Sequence, residues 1–203
     1  MQLPTLETEN VVLDSLLKDN GLIIPTYATL IHELKQVFGT TFFDPKRFLN
    51  QYSNIDELIY NYALSGTYMV VWNKKSGNPV GIIGYRLEYG SEQRPEVVSF
   101  DIMFIKEAWG TMIPLESCQS LINYMFKKLR IQRIEAFVTQ GSFFRNDIYE
   151  KLDFKCEGEA RNSIQINGKW TSQKLFGLLK ADFNNSKRKR NSKQPIFKSK
   201  VLV

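Results

Sequence analysis

The spacing of apolar and polar residues changes along the chain at about residue 65. Before that point, a predicted strand is followed by apolar residues at helical spacing, with a helix start at Asp44-Pro45 and a stop at Gly66. Beyond it, alternating and β-branched residues are typical of strands. The predicted elements are strands at residues 9–17, 67–72, 79–88, 97–105, 133–139, 154–166 and 174–179, with helices at 25–38, from 44, at 55–64, at 116–129 and up to 152. This order indicates an α/β domain.

Composition indicates one domain of ordinary size followed by a short basic segment. The 203 residues are 43% hydrophobic and 13% aromatic, which is enough for a sizeable core. The net charge is +6, but residues 184–203 carry seven lysines and arginines and no acidic residue. Removing those seven charges leaves −1 for residues 1–183. We therefore predict a domain at residues 1–183 and a basic C-terminal tail at residues 184–203.

Several classes of protein are disfavoured by the residues that the chain lacks. No stretch approaches the roughly 18 uninterrupted apolar residues of a membrane helix, and the first residues have neither the basic start nor the apolar core of a signal peptide. Two cysteines, Cys118 and Cys156, and one histidine, His32, are too few for a disulfide framework or a zinc site. We expect no metal, no membrane partner and a reducing, cytoplasmic setting.

Five motifs follow one another in the second half of the chain. They are Trp109-Gly110 with Glu116 after a loop, Phe126-x-x-Leu129, Arg133-Ile134-Glu135, Tyr149-Glu150-Lys151-Leu152-Asp153-Phe154, and Glu157-Gly158 followed by Ile166-Asn167-Gly168-Lys169-Trp170. In this order the chain, over roughly residues 5–183, resembles the GNAT acetyltransferase superfamily. Its closest likeness is to the branch that acetylates ribosomal-protein N-termini. The resemblance implies a GNAT fold, in which a central mixed, mostly antiparallel twisted sheet of about seven strands is flanked by helices.

The resemblance also implies acetyl-CoA as co-substrate, placed between the strands predicted at residues 97–105 and 133–139. Backbone N–H groups near Phe104 and Ile105 would then polarise the thioester carbonyl. The loop that ends at the next helix presents unpaired N–H groups to the pyrophosphate, with the helix dipole favouring an anion. The candidate residues of this loop are Gly110, Thr111, Met112 and Ile113.

Four positions depart from the family pattern around this cofactor site. Met112 and Pro114 stand where the family usually has small residues, and proline also removes one donor. The loop is therefore either a pyrophosphate site or an ordinary helix start. Ser142 replaces the usual asparagine, and Arg145 replaces a small residue. Both remain candidate cofactor-binding residues, and Arg145 either contacts a phosphate or blocks the groove.

The candidate catalytic residues are Tyr149 and Glu116. Tyr149 matches the tyrosine that, in many family members, protonates the departing thiolate, and its alternative role is packing in the core. Ser99 occupies the place where the branch often has a glutamate, so Asp101 and Glu116 are the nearby carboxylates that would accept a proton through water. The alternative for both carboxylates is a structural role.

Two functions of different classes remain open from these residues. The first is an acetyl-CoA-dependent N-acetyltransferase acting on an amine of a protein N-terminus, a lysine or a small molecule. The second is an inactive GNAT-fold component of a phage particle or nucleoprotein complex, which would place the chain in a virion. Its basic tail would bind nucleic acid or an acidic protein through Lys187, Arg188, Lys189 and Arg190, or would simply be solvated.

Overall fold

The computed structural model describes residues 3–15, 65, 67–166, 168–191 and 200–201. The helices predicted at 25–38, from 44 and at 55–64 lie outside the described residues, as does His32. The elements discussed below therefore belong to one short N-terminal stretch and to the strand-rich remainder of the chain.

The described residues form one mixed sheet. Its strands are β1 (Leu6–Glu7), β2 (Val11–Ser15), β3 (Tyr68–Asn73), β4 (Pro79–Gly90), β5 (Pro95–Phe104), β6 (Arg133–Thr139), β7 (Lys155–Ile166), β8 (Lys169–Leu179) and β9 (Lys200–Val201). They lie in the order β7-β8-β6-β5-β4-β3-β2-β1-β9. All neighbours pair antiparallel except β5 and β6, which are parallel. A parallel pair needs a crossover connection, and a helix supplies it here.

Three α-helices are described beside the sheet, and a short 3₁₀ helix, Lys106–Ala108, precedes the first of them. The α-helices are α1 (Ile113–Tyr124), α2 (Phe143–Lys151) and α3 (Lys180–Asn191). Helix α1 starts with proline at its second position and continues into a π-helical turn, Met125–Leu129. It ends at Arg130, whose φ of 61° is left-handed. The buried face of α1 includes Cys118, Leu121 and Ile122, which pack in the core with residues of the sheet.

The mostly antiparallel sheet with flanking helices confirms the predicted fold class. Seven of its strands, β2 to β8, are five residues or longer, and β6 has the predicted bounds. Strand β8 begins at Lys169, five residues before the predicted start, because it pairs with β7 up to the tip of their hairpin.

The C-terminal segment has two features that were not predicted. Helix α3 runs across residue 183, where Phe183 is buried against Phe126 with ring centroids 4.7 Å apart. Strand β9 pairs with β1, with Val201 opposite Leu6. The division of the chain at residue 183 stays a prediction; α3 runs across it, and the pairing of β9 with β1 joins residues from its two sides.

Candidate active site

The parallel strands β5 and β6 pair over a short length. Ladder partners join Val97 to Arg133, Val98 to Ile134 and Ser99 to Glu135, and no further pair joins these strands in the described part of the chain. Strand β6 continues to pair with β8 as far as Thr139. The edge of β5 from residue 100 to 104 therefore faces a gap between the two strands, which we call the β5–β6 gap.

Side chains bind three alternate carbonyls along this edge of β5. The pairs are Tyr149 Oη to the Phe100 oxygen at 3.1 Å, Arg145 Nη2 to the Ile102 oxygen at 2.9 Å, and Trp109 Nε1 to the Phe104 oxygen at 3.0 Å. In an antiparallel pair, the N–H and C=O of one residue point the same way. The N–H groups of these three β5 residues consequently point into the gap as well.

This alternation separates the two residues that were predicted to polarise a thioester carbonyl. The N–H of Ile105 donates to the Val80 oxygen at 3.1 Å and so points towards β4. The N–H of Ile105 is therefore not directed into the β5–β6 gap, because neighbouring residues of a strand direct their backbone groups to opposite sides. Phe104 has its backbone groups on the side of the gap.

The loop between β5 and α1 carries N–H groups of two kinds. Thr111 donates to the Ala108 oxygen, and Ile113 donates to Thr111 Oγ1, both at 3.3 Å. The N–H groups of Gly110, Met112 and Leu115 have no acceptor among the described residues. Of the four predicted pyrophosphate residues, Gly110 and Met112 thus keep an available donor, and Leu115 adds one that the sequence did not single out.

The shape of the loop depends on Gly110. Its φ is 76°, and a Cβ built there meets nothing within 4 Å. The left-handed backbone therefore favours glycine here, while the space beside it stays open. The next turn is the first of α1, where the helix dipole is positive. An anion placed in this space would face both the dipole and the available N–H groups.

Aromatic stacking holds the loop against α2. The rings of Trp109 and Phe144 are nearly parallel, with centroids 4.9 Å apart and an interplanar angle of 9°. Phe144 also meets Phe104 edge to face at 6.2 Å. Together with the indole hydrogen bond to Phe104, these contacts fix Trp109 at one end of the β5–β6 gap.

Glu116 lies at the start of α1 and is 2% exposed. One carboxylate oxygen accepts from the backbone N–H of Asn10 at 3.0 Å, and the other accepts from Asn10 Nδ2 at 2.9 Å. The residue therefore links α1 to the turn between β1 and β2. These contacts favour its structural alternative over a role in proton transfer.

Tyr149 is buried on α2, with 1% of its surface exposed. Its ring contacts those of Phe100, Phe154 and Phe176. Burial raises the pKa of the phenol well above its ordinary value, so the hydroxyl keeps its proton over the usual pH range. The hydroxyl is thus a proton-bearing group at the β5–β6 gap.

Ser142 precedes α2 and is 2% exposed. Its Oγ is buried and has no hydrogen-bond partner among the described residues, and the same is true of the Oδ1 atom of Asn146. Arg145, Asn146 and Tyr149 share one stripe of α2, and Ser142 at the N-cap continues this stripe one turn earlier. The structure thus groups both predicted departures, Ser142 and Arg145, with the candidate acid.

Ser99 and Asp101 lie on one face of the sheet with a set of charged neighbours. Asp101 accepts from Tyr68 Oη at 2.6 Å and pairs with Arg86 Nε at 3.1 Å. Tyr68 reaches it across Gly84, where a Cβ would lie 2.5 Å from the tyrosine ring. Asp101 is therefore held by two donors, which supports its structural alternative as well.

Two carboxylates near Ser99 were not singled out by the sequence analysis. Glu135 is the ladder partner of Ser99 on β6, and Glu88 lies at a register shift of β4. Glu88 is exposed, and loss of solvent on its protein side raises its pKa; Arg86 lowers the pKa, and the carboxylates of Glu135 and Asp101 raise it. Period-two alternation along the predicted strands would have placed these residues on the face of Ser99.

Comparisons with known proteins agree with this architecture. A family model described as "Acetyltransferase (GNAT) domain" matches residues 36–155. The "Probable N-acetyltransferase YjcK" of Bacillus subtilis is 33% identical over 36% of this chain, a match that spans only 40% of that protein. The "Uncharacterized N-acetyltransferase p20" of Bacillus licheniformis is 24% identical over 88% of this chain and 98% of its own length.

A solved structure resembles the whole fold. The ribosomal-protein-S5-alanine acetyltransferase of Vibrio fischeri aligns with a TM-score of 0.66 at 19% identity, over 88% of this chain and 98% of that one. The sheet with its parting parallel pair defines the class as an acetyltransferase-like α/β fold. With the family match over more than half of its length, the chain belongs to the GNAT acetyltransferase family.

Two negative findings hold for the described part of the chain. No helix in it is long and apolar enough to cross a membrane. No group of three or more histidine, cysteine, aspartate or glutamate side chains among the described residues is arranged to hold a metal ion.

Proposed function

We propose that this chain transfers an acetyl group from acetyl-CoA to an amine. The observation that carries the proposal is the β5–β6 gap, whose free strand edge lies next to the available N–H groups at the start of α1. An extended ligand with amides along its length and phosphates at one end suits this combination. The strand edge offers alternating donors and acceptors, and the helix start offers an anion site.

The residues present fit acetyl-CoA at both ends of the site. The N–H groups of Gly110, Met112 and Leu115 would hold the pyrophosphate. At the other end, the buried Ser142 Oγ has no hydrogen-bond partner among the described residues and could bind a polar group of the ligand. When bound, acetyl-CoA supplies an acetyl group that is already activated as a thioester. The remaining chemistry belongs to the protein: orientation, polarisation and proton movement.

Two residues of the gap are suited to the reacting atoms. The N–H of Ile102 points into the gap beside the Phe100 oxygen that Tyr149 binds, and it would donate to a carbonyl oxygen as that oxygen gains negative charge. The N–H of Phe104 lies two residues further along β5, about 7 Å beyond, which is too far to serve the same thioester as Tyr149. Tyr149 keeps a proton on its hydroxyl and would deliver it to a departing thiolate. In the free protein, that hydroxyl donates to Phe100 at 3.1 Å, so donation to a thiolate requires it to exchange this partner.

An ammonium group must lose a proton before it attacks a thioester. Asp101 and Glu116 are each engaged by two donors, and Glu88 is the nearby carboxylate whose pKa is raised. We assign Glu88 as the proton acceptor, acting through water. Proximity of amine and thioester supplies much of the rate, so a weak base is sufficient.

The acceptor is proposed to be a primary amine of a protein N-terminus, a lysine or a small molecule. The solved relative described above is named for acetylating an alanine of a ribosomal protein. The charges beside Ser99 are of both signs, because Arg86 donates to Ser99 Oγ at 3.4 Å and Arg133 pairs with Glu135 at 3.2 Å. The predicted nucleic-acid contact of the tail has no support from these relatives, and the cytoplasmic setting stays a prediction.

Calorimetry with acetyl-CoA and with desulfo-CoA tests this function. The matched variants are Met112→Pro and Met112→Ala, because both remove the methionine side chain and only proline removes the N–H. The φ of Met112 is −76°, which proline accepts. A lost hydrogen bond to a charged group costs about 1.5–3 kcal/mol, so we expect about tenfold weaker binding or more in Met112→Pro alone.

The opposite results are equally informative. No heat with the wild-type protein at millimolar ligand would contradict the proposal and favour the non-catalytic, structural alternative. Equal affinities of the two Met112 variants would show that the ligand does not use this N–H, even if the wild-type protein binds.

A further inference from the structure

The three side chains that bind the edge of β5 differ in how firmly they are held. Tyr149 is 1% exposed and is enclosed by aromatic rings. Trp109 stacks on Phe144 at 4.9 Å. Arg145 lies between them and is only half-buried, and its guanidinium is carried by an unbranched, flexible side chain. Of the three, Arg145 is the side chain that can leave its carbonyl without repacking the aromatic core.

The carbonyl that Arg145 occupies is central to the free edge. Its Nη2 donates to the Ile102 oxygen at 2.9 Å, between the carbonyls of Phe100 and Phe104. A ligand lying extended along β5 would present its own amide N–H to the same oxygen, as an added strand does. A bulky guanidinium already placed at this carbonyl oxygen stands in the path of a ligand amide that approaches it from the gap.

Polar atoms beside Arg145 are left unsatisfied when the gap is closed in this way. Ser142 Oγ and Asn146 Oδ1 lie on the same stripe of α2, and both are buried without a partner among the described residues. Buried polar atoms in proteins almost always have a partner. The closed arrangement therefore satisfies Ile102 and leaves acceptors that donors from a ligand or from water would satisfy.

We infer that Arg145 sets the affinity of the β5–β6 gap, because any ligand that pairs with Ile102 must first displace its guanidinium. The inference rests on the proposed function, since acetyl-CoA is the extended amide ligand in question. It predicts that Arg145 weakens the binding of the amide-bearing arm and leaves the binding of the nucleotide end unchanged. The free protein is stabilised by the same contact that the ligand must break.

The test compares two ligands on the full chain by calorimetry. Desulfo-CoA carries the amide-bearing arm, whereas adenosine 3′,5′-bisphosphate has the nucleotide end alone. The variants are Arg145→Ala, Arg145→Lys and, as a control on the exposed side of α2, Lys151→Ala, which removes an ion pair with Asp147 at 2.8 Å. Thermal unfolding and circular dichroism without ligand accompany each titration.

We expect Arg145→Ala to bind desulfo-CoA about fivefold more tightly than wild type, the size of one ordinary hydrogen bond. Its affinity for the bisphosphate should not change. Arg145→Lys should lie between, because an ammonium still donates to a carbonyl. Without ligand, Arg145→Ala should melt at a lower temperature than wild type, whereas Lys151→Ala should match wild type in both affinities.

Three results would overturn the inference. Unchanged or weaker desulfo-CoA binding by a folded Arg145→Ala would do so while leaving the proposed function intact. Weaker binding of both ligands would instead assign Arg145 to a phosphate. Absence of binding by both wild type and Arg145→Ala at millimolar desulfo-CoA would remove the proposed function together with the inference.

Discussion

The loop at the start of α1 and the stripe of α2 border the same gap, yet they treat their backbone partners in opposite ways. In the loop and the first turn of α1, Gly110, Met112 and Leu115 keep N–H groups without an acceptor among the described residues. Along the gap, side chains from α2 and from the loop bind every second carbonyl of β5 from residue 100 to 104. We call the loop and first turn, with their available N–H groups, the open half of the site. We call the edge of β5, whose carbonyls are bound by side chains, the closed half.

The difference follows from where each half is exposed. Loop N–H groups at the surface are satisfied by water until an anion replaces it, so they need no protein partner. The carbonyls of β5 lie in the interior, where an unpaired group costs about 1–3 kcal/mol. In a buried ligand site, protein side chains therefore make the hydrogen bonds that the ligand would otherwise make. Those side chains then compete with the ligand for the same backbone groups.

The largest effect is expected from Tyr149→Phe, a substitution in the closed half of the site, on the value of kcat. If the phenol delivers the proton, Tyr149→Phe should lower kcat about 10²-fold or more and leave the Kd for acetyl-CoA unchanged. Steady-state kinetics and calorimetry measure the two quantities. Tyr124→Phe, which removes a hydroxyl from α1, is the control. A normal kcat with only a lower Tm would limit the Tyr149 hydroxyl to its structural hydrogen bond with the Phe100 oxygen.

The next effect concerns the support behind the open half. Glu116→Gln places an amide N–H₂ group against Asn10 Nδ2, because both carboxylate oxygens now accept from Asn10. We expect a loss of about 1–3 kcal/mol in the free energy of unfolding, measured with urea.

Adding Asn10→Asp should recover most of this loss. The new aspartate at position 10 accepts from the amide N–H₂ group of the glutamine at position 116. The amide oxygen of that glutamine still accepts from the backbone N–H at position 10. A double variant no more stable than Glu116→Gln would show that the carboxylate acts on something other than Asn10.

A smaller effect tests the shape of the open half. Gly110→Ala forces a Cβ into a left-handed backbone, which costs about 1–2 kcal/mol, although the side chain itself meets nothing within 4 Å. We expect the affinity for acetyl-CoA to fall about fivefold as the loop shifts. Gly77→Ala, at a φ of 70° in the turn before β4, is equally strained and distant from the gap. Equal affinities in the two variants would remove Gly110 from the anion site.

The smallest effect lies where β5 and β6 still pair. Arg133 Nη1 donates to Glu157 Oε1 at 2.9 Å, across the backbone of Gly177. The guanidinium of Arg133 lowers the pKa of Glu157 below its ordinary 4.5. The stabilisation is therefore present above pH 4.5 and is lost as the pH falls through the lowered pKa.

Glu157→Gln should consequently be less stable than wild type by under about 1 kcal/mol at pH 7. The difference in the free energy of unfolding between the two proteins, measured with urea, should disappear at acidic pH. Glu159→Gln, at an exposed position of the same strand, is the control. A difference that stays constant down to about pH 3 would mean that the charge of Glu157 is not what Arg133 stabilises.

Patterns of short range were enough to predict much of this protein. Alternation located β3, β4, β5 and β6 to within two residues, and the apolar stripe located α1. Motifs such as Trp109-Gly110 and the segment 149–154 indicated the family, which the domain match over residues 36–155 confirmed. Each of these signals lies within about ten neighbouring residues, where local geometry controls which side chains share a face.

The candidate site depended on contacts that no local pattern contains. The family resemblance implied backbone N–H groups near both Phe104 and Ile105, but the register of β5 against β4 turns the N–H of Ile105 to Val80. The partner of Glu116 is 106 positions away at Asn10, and the partner of Arg145 is 43 positions away at Ile102. Composition and spacing indicated which residues carry chemistry. Only the pairing of distant strands decided which of their atoms stay available, because each hydrogen bond made across the fold removes a donor or acceptor from the site.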